Sequence, residues 1–332
     1  MKVAIPKTTI PRTTILGGGA WGTALGCVAV AASHDVVLWA RDAATIDAIN
    51  LTHRNPAYLP GVDLPKTLTA TKDLSNALTG ADIVFAVIPA QTTRKVLAAA
   101  KPYLPANATL VLCAKGIEAD TGAFLSDIAK AILPDHTIAV LSGPGFAGEI
   151  ARGLPSAVTL ASEKIADALE LAEALSSPRF RIYASDDPRG VEAGGALKNI
   201  IAIAAGAVYG AGLGASASAA LVTRGFAEIK RVGEAFGGKA ETLNGLSGLG
   251  DLILTCNSNQ SRNFQFGVDL AHGKTSIALA EGAATAHIAA SLAVGNHIDA
   301  PIIVAISAMI NRQITIADAV TALMSRPLKE ED

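Results

Sequence analysis

From Asn199 to Thr223 the chain carries no Asp, Glu, Lys or Arg, and no other feature narrows the fold as much. The run is as long as the roughly 20 residues that a membrane-spanning helix needs. Its composition argues otherwise: Ala, Gly and Ser dominate, Tyr209 stands in the middle and large aliphatic side chains are few. Small side chains let backbones approach, so the run predicts a buried helix packed closely on its neighbours, with breaks near Gly210, Gly212 and Gly214. Lys198 stands at its head, in Val191-Glu-Ala-Gly-Gly-Ala-Leu-Lys-Asn199. An ammonium at the rim of so apolar a segment is poorly solvated unless paired, and desolvation makes it a tunable acid–base group. A helix-end lysine that snorkels to water is the plainer alternative. A helix is expected to begin here, with Gly194 and Gly195 one turn earlier leaving space for a ligand.

At 332 residues, half of them apolar and 17% charged, the chain has the material for two domains with large cores. A net charge of −2 and the lack of Lys/Arg clusters give no electrostatic footprint for nucleic acid. Cys27, Cys113 and Cys256 are far apart and odd in number, which fits reduced cytosolic thiols and neither a disulfide framework nor a zinc site. The six histidines show no metal-ligand spacing, so no metal is expected. Met1–Arg12, with two prolines, reads as a frayed extension rather than a signal peptide. A cytoplasmic location follows.

Short β-rich runs alternate with Ala-rich stretches through the first half. Strands are expected at Thr13–Leu16, Val36–Trp39, Ile83–Ile88, Thr109–Ala114, Ile138–Leu141, Ala157–Leu160 and Phe180–Tyr183. Near-continuous apolar strands suit a parallel sheet covered on both faces, and the alternation implies βαβ units. After Ser185-Asp-Asp-Pro-Arg-Gly190 the strand signal fades. The fold expected is therefore α/β: a Rossmann-like doubly wound sheet over 12–188, then an all-helical domain over 189–330.

Gly17-Gly-Gly19-Ala20-Trp21-Gly22 follows the first strand and opens a helix, the context in which G-x-G-x-x-G binds a dinucleotide. Gly17 makes the turn, Gly19 lets pyrophosphate approach the backbone, and Gly22 permits close helix–strand packing at the positive helix end. The second strand runs into Arg41-Asp42. An acid there serves the ribose of NAD, and an arginine accommodates the 2′-phosphate of NADP. Arg41 coming first favours NADP(H), with NAD(H) as the second choice; a surface turn pair is the alternative.

Open α/β sheets bind ligands at the carboxyl edge. Later strands deliver Pro89–Arg94, Lys115-Gly116 and Ser142–Gly148 to that edge. Lys115 reads as a contact to substrate or cofactor phosphate, or as a solvated loop charge. The Ser142–Gly148 loop reads as a source of backbone N–H groups, or as a tight turn. Further on, Asp251 reads as a partner for a buried lysine or as a helix N-cap. Ser261-Arg262-Asn263 reads as a cup for a phosphate ester, since arginine's planar fork matches phosphate, or as an exposed turn.

Taken together, Gly17–Leu25, Tyr58-Leu-Pro-Gly61, Lys115-Gly-Ile-Glu118, Ser142-Gly-Pro144 with Phe146-Ala147, Gly194–Asn199, Gly248–Leu252 and Gln260–Asn263 strongly resemble the soluble, NAD(P)-dependent glycerol-3-phosphate dehydrogenases of bacterial type. They occur in family order across most of the chain. The resemblance implies an oxidoreductase interconverting sn-glycerol 3-phosphate and dihydroxyacetone phosphate, feeding phospholipid synthesis. It implies Lys198 as the catalytic proton donor and acceptor. Lys115, Gly143, Asp251, Ser261, Arg262 and Asn263 would line the substrate site. Trp21, Arg41, Tyr58, Lys115, Ala147, Arg262 and Glu281 would join the glycine turn at the cofactor. Gly145 stands where the family has Ser or Thr, which removes one hydroxyl. The segment before Glu281 looks shortened, and His53-Arg54 departs from the family pattern.

The partners expected are a small phosphorylated substrate, no nucleic acid and no inserted membrane, with a homodimer compatible. Two rivals are another β-hydroxyacid or sugar-phosphate dehydrogenase and a non-catalytic NADPH-binding sensor. The phosphate cup speaks against an unphosphorylated substrate. Lys198 and Arg262 together speak against a sensor, which needs neither.

Overall fold

The structure is a computed structural model that describes residues 10–274 and 280–327. The proline-bearing extension up to residue 9 and most of the shortened segment before Glu281 lie outside the described residues. Among the described residues there are ten strands: β1 (Arg12–Leu16), β2 (Asp35–Trp39), β3 (Arg54–Asn55), β4 (Leu59–Asp63), β5 (Thr69–Thr71), β6 (Ile83–Ala86), β7 (Thr109–Leu112), β8 (Ile138–Ser142), β9 (Ser156–Ser162) and β10 (Phe180–Ser185). Eight of them form one sheet in the order β10-β9-β8-β7-β6-β1-β2-β5. The chain builds outward from β1 through β2 to β5, then returns to the other side of β1 with β6. The β1–β6 boundary is therefore the switch point, where a doubly wound sheet opens its binding crevice.

All seven expected strands are present. The sheet is not parallel throughout: β9 runs antiparallel to β8, and β10 parallel to β9. The β8–β9 link holds only the short helix Ala147–Ala151 and turns the chain back, whereas β9–β10 needs a parallel crossover and uses the helix Ile165–Leu175. The β3–β4 hairpin and the edge strand β5 escaped the sequence reading. They span two to five residues, too short for an alternating pattern to register. Apolar clusters cover both faces of the sheet, one around Leu25, Leu38 and Phe85 and the other around Leu97, Leu110 and Leu125.

After Ser185 every regular element among the described residues is a helix. Asp187 caps the helix Pro188–Gly210, accepting from Gly190 N–H at 2.8 Å, and also accepts from Lys239 N–H. Proline follows at the first helical position, where its missing N–H costs nothing. This helix is long and apolar enough to cross a membrane, yet its most apolar stretch is wholly buried inside the protein. It begins ten residues before Lys198, so the lysine lies inside the helix rather than at its start. The uncharged run breaks after Gly210 as expected, and a second helix covers Ala215–Ala235. Burial, however, ends near Ala207: Tyr209 and most of 211–220 face outward. Ala and Ser offer so little apolar surface that exposing them costs little.

The helix Arg262–Ala271 crosses the long helix almost backbone to backbone. A Cβ on Gly206 would stand 1.9 Å from the Phe264 carbonyl oxygen, and one on Gly267 2.0 Å from that of Ile203. Only glycine fits at both positions. This crossing brings Asn263 against Asn199, the neighbour of Lys198 in the long helix.

Candidate active site

The glycine turn lies at the switch point. Gly17 has φ +135°, a backbone state open to glycine, and any Cβ there would meet the Val87 carbonyl at the end of β6. Gly22 packs equally close on the Gly17 carbonyl, while space beside Gly19 is open. No side chain caps the helix Ala20–Ala31, so its first N–H groups face that opening with the positive end of the helix dipole. The turn is pinned from behind by Asn55, whose buried amide donates to Gly18 O at 3.0 Å and Thr23 Oγ1 at 2.8 Å. These features fit a dinucleotide pyrophosphate.

At the end of β2 the two neighbours behave differently. Asp42 caps the short helix Ala43–Asp47, accepting from Thr45 N–H at 2.8 Å and Thr45 Oγ1 at 2.7 Å. The Thr45 hydroxyl and N–H hold its carboxyl below the usual range. Arg41 is exposed and has no hydrogen bond to a described residue. Of the other residues expected at the cofactor, Ala20 and Trp21 open the first helix and Trp21 packs on the core. Ala147 begins the helix after β8, and Tyr58 is half exposed on the β3–β4 turn. Arg54 forms an exposed ion pair with Asp63.

Lys198, Lys115 and Asp251 meet in one enclosed group. Asp251 Oδ1 lies 3.1 Å from Lys198 Nζ, and Asp251 Oδ2 accepts from Lys115 Nζ at 2.5 Å. Lys115 also points a longer, 3.4 Å contact at the Gly143 carbonyl. Lys198 donates to Thr255 Oγ1 at 2.6 Å, and that hydroxyl lies 2.6 Å from the Asp251 carbonyl to which it donates. An ammonium has three N–H donors. Two of Lys198's are spent on Thr255 and Asp251, which leaves one for a ligand oxygen.

The electrostatics follow from enclosure and charge. Burial pushes the Lys198 ammonium down from 10.5 to about 8; the Asp251 charge opposes the shift and the Lys115 charge adds to it. Burial works against ionising Asp251, but the charges of Lys115 and Lys198 outweigh it and hold the carboxyl below its ordinary value. Asp251 is thus the bridging anion and not a helix cap. Deleting it would leave two facing ammonium groups, and breaking a buried pair in this way typically costs about 3–5 kcal/mol.

Gly194 and Gly195 make room for protein, not ligand. A Cβ on Gly194 would lie 3.1 Å from Gly248 Cα, and one on Gly195 would lie 2.7 Å from Ser142 Oγ and 3.5 Å from Lys115 Cγ. The Ser142 hydroxyl is buried there without a partner.

Ser261, Arg262 and Asn263 sit at the start of their helix. Ser261 Oγ accepts from Phe264 N–H and caps it. Asn263 donates to Asn199 Oδ1 at 2.9 Å and accepts from Gly282 N–H at 3.0 Å. Ser261 and Asn263 each keep one donor proton, and Arg262 is exposed. Glu281 opens the next helix. Burial raises its pKa, opposed by Arg262, Lys115 and Lys198, in that order. Glu281 therefore lies near the same cationic group. A cavity of about 250 Å³, lined by Tyr209, Ser218, Asn257 and Phe264 among others, has none of Lys198, Lys115, Asp251, Ser261, Arg262, Asn263 or Glu281 in its lining.

Thr255, Asn55 and Asn199 are site residues that the sequence reading missed. Thr255 had a signal: it follows Asp251 by four, which places both on one face of a helix. Asn55 had none, because its partners are far away in sequence.

Residues 12–168 and 187–321 match the two domains described as the N-terminus and C-terminus of NAD-dependent glycerol-3-phosphate dehydrogenase. The chain is 57% identical to glycerol-3-phosphate dehydrogenase [NAD(P)+] of Mesorhizobium japonicum, over 99% of this chain and 96% of that one. It is 54% identical to the enzyme of that name from Brucella ovis, over 97% and 99%. Among solved structures it is similar to glycerol-3-phosphate dehydrogenase from Coxiella burnetii, with a TM-score of 0.91 and 37% identity, covering 96% of this chain and 99% of that one.

Proposed function

The chain belongs to the NAD-dependent glycerol-3-phosphate dehydrogenase family, and on that footing we infer that it interconverts sn-glycerol 3-phosphate and dihydroxyacetone phosphate with NAD(P)(H). The observation that carries this reading is the Asp251 carboxylate, which grips Lys198 and Lys115 at once. With Thr255 taking a second, one Lys198 donor remains for a ligand.

The sheet unit, 12–188, holds the dinucleotide, and the helical unit, 189–330, completes the substrate site. Gly17, Gly19, Ala20, Trp21 and Gly22 hold the pyrophosphate end. Arg41 takes the 2′-phosphate of NADP(H), the preferred cofactor, because Asp42 is committed to its cap. Tyr58, Ala147, Arg262, Lys115 and Glu281 line the remainder. When bound, the nicotinamide gives or takes the hydride at substrate C2. Lys198, charged, polarises the C2 carbonyl and protonates the oxygen as it becomes an alkoxide; in the reverse direction it takes the proton back. Thr255 and Asp251 hold the ammonium in place. Arg262 grips the phosphate, with Ser261, Asn263, Lys115 and the backbone at Gly143 adding hydrogen bonds.

We place the enzyme in the cytoplasm, supplying glycerol 3-phosphate for phospholipid synthesis. Three buried free cysteines and the burial of the most apolar stretch of the long helix support that placement. The deciding assay follows loss of reduced-nicotinamide absorbance with dihydroxyacetone phosphate, using NADPH and NADH separately. Turnover is expected with NADPH the better donor; no turnover with either overturns the reading.

A further inference from the structure

Lys115 stands on an irregular loop between β7 and the helix Leu125–Ile132, and such a loop does not by itself fix a long flexible side chain. Its backbone is instead gripped by the segment that follows β6. The Gln91 amide donates to the Ile117 carbonyl and accepts from Ala119 N–H, both at 2.8 Å. One side chain thereby supplies the two-bond exchange that a neighbouring strand would provide. Three residues on, Arg94 closes a bidentate fork on Glu118, with Nε to Oε1 at 2.8 Å and Nη2 to Oε2 at 2.7 Å. Thr121 Oγ1 donates to the same carboxylate, which is buried while the arginine is half exposed. Gly116 lies flush on this segment, since a Cβ there would stand 2.8 Å from Ala90 Cβ.

Gln91 is exposed, so the core does not need it. Both polar ends of its side chain are nevertheless spent on one loop, two to four residues from Lys115.

We propose that Gln91 and Arg94 are positioning residues that fix the 115–119 loop so that the Lys115 ammonium reaches Asp251. Through Asp251 they govern Lys198. The charged or titratable groups that act on Lys198 are Asp251 and Cys256 from the helix Asp251–Cys256, Lys115 from this loop, and Glu281 from the helix it opens. The Lys115 charge depresses the Lys198 ammonium in the same direction as burial. Releasing Lys115 from its place therefore raises Lys198 above about 8 while loosening the grip on substrate. The kinetic side of this proposal rests on the dehydrogenase reading above; the placement of Lys115 does not.

The test compares the parent with Gln91→Ala, Gln91→Glu and Arg94→Lys. Glutamate keeps the acceptor for Ala119 N–H but cannot donate to the Ile117 carbonyl; lysine keeps the charge but loses the fork. One measurement needs no turnover: acylation of Lys115 by an amine-reactive ester, followed by peptide mass spectrometry. Gln91→Ala is expected to label several-fold faster, with Gln91→Glu and Arg94→Lys in between. In turnover, Gln91→Ala is expected to lower kcat/KM for dihydroxyacetone phosphate tenfold or more and to move the alkaline limb of the reduction upward. The NADPH dissociation constant, to which Lys115 is one contributor among several, should rise no more than the faster Lys115 labelling accounts for. Unchanged Lys115 labelling in all three variants overturns the proposal even if the parent proves inactive. Weaker NADPH binding in Gln91→Ala with Lys115 labelling unchanged also overturns it, because Gln91 would then contact the cofactor itself. An inactive parent with faster Lys115 labelling in the variants refutes only the dehydrogenase reading.

Discussion

Lys198 Nζ lies 3.1 Å from Asp251 Oδ1, with both side chains more than nine-tenths buried. Two opposing effects meet in that contact. Enclosure disfavours the ammonium, and the carboxylate opposes that shift without cancelling it. The result is a lysine that changes charge near about 8, close to where a general acid works best.

Turnover should therefore depend on pH in opposite senses for the two directions. Reduction needs the ammonium and falls as pH rises through about 8; oxidation needs the neutral amine and rises through the same range. Lys198→Ala should lose ~10²–10⁴-fold in turnover and still bind NADPH. A folded Lys198→Ala protein with near-parental rates refutes the assignment. The stability contribution has its own sign. Folded Lys198 releases its proton near 8 and the unfolded lysine near 10.5, so between these values the unfolded chain holds more protons. This group's share of stability then rises with pH.

Thr255→Val keeps the shape and removes the oxygen that accepts from Lys198 at 2.6 Å. A hydrogen bond to a charged group is worth about 1.5–3 kcal/mol, and 1.36 kcal/mol corresponds to one pKa unit. The alkaline limb of the reduction should thus move down by roughly one unit or more. A limb that stays in place means Thr255 only caps its own helix turn.

Arg41→Ala should weaken NADPH far more than NADH, because only NADPH carries the 2′-phosphate. Losing a charged hydrogen bond of ~1.5–3 kcal/mol lowers the NADPH preference about tenfold or more. Titration of both cofactors by fluorescence decides it, and equal losses assign Arg41 to structure.

Asn55→Ala should act on both cofactors alike. It frees the Gly18 carbonyl and Thr23 hydroxyl that Asn55 now holds, and a buried group left unpaired costs about 1–3 kcal/mol. The dissociation constants of NADPH and NADH are expected to rise together, without a change in their ratio. Selective loss of one cofactor contradicts this role.

Arg262→Lys retains charge and forfeits the planar fork. KM for dihydroxyacetone phosphate should rise with little change in melting temperature. Saturation at parental concentrations places the phosphate elsewhere.

The sequence by itself determined the glycine turn, the seven main strands, the change to helices near residue 189 and the identity of the chemical groups. These are written locally, in strand-length apolar runs, in glycines whose backbone or packing excludes a Cβ, and in charges set against apolar stretches. Tertiary structure alone decided which groups meet. Lys115 and Asp251 are 136 residues apart and Lys198 and Thr255 are 57 apart, and no local pattern encodes such a distance. The reversal of β9, the grip of Asn55 on the glycine turn and the use of Gly194 and Gly195 as contacts for Gly248 and Ser142 were hidden for the same reason. Whether Asp251 caps a helix or bridges two lysines depends on what packing places opposite it. The backbone crossings at Gly206 and Gly267 bring the start of the Arg262 helix beside the middle of the long helix, where enclosure gives Lys198 its altered acidity.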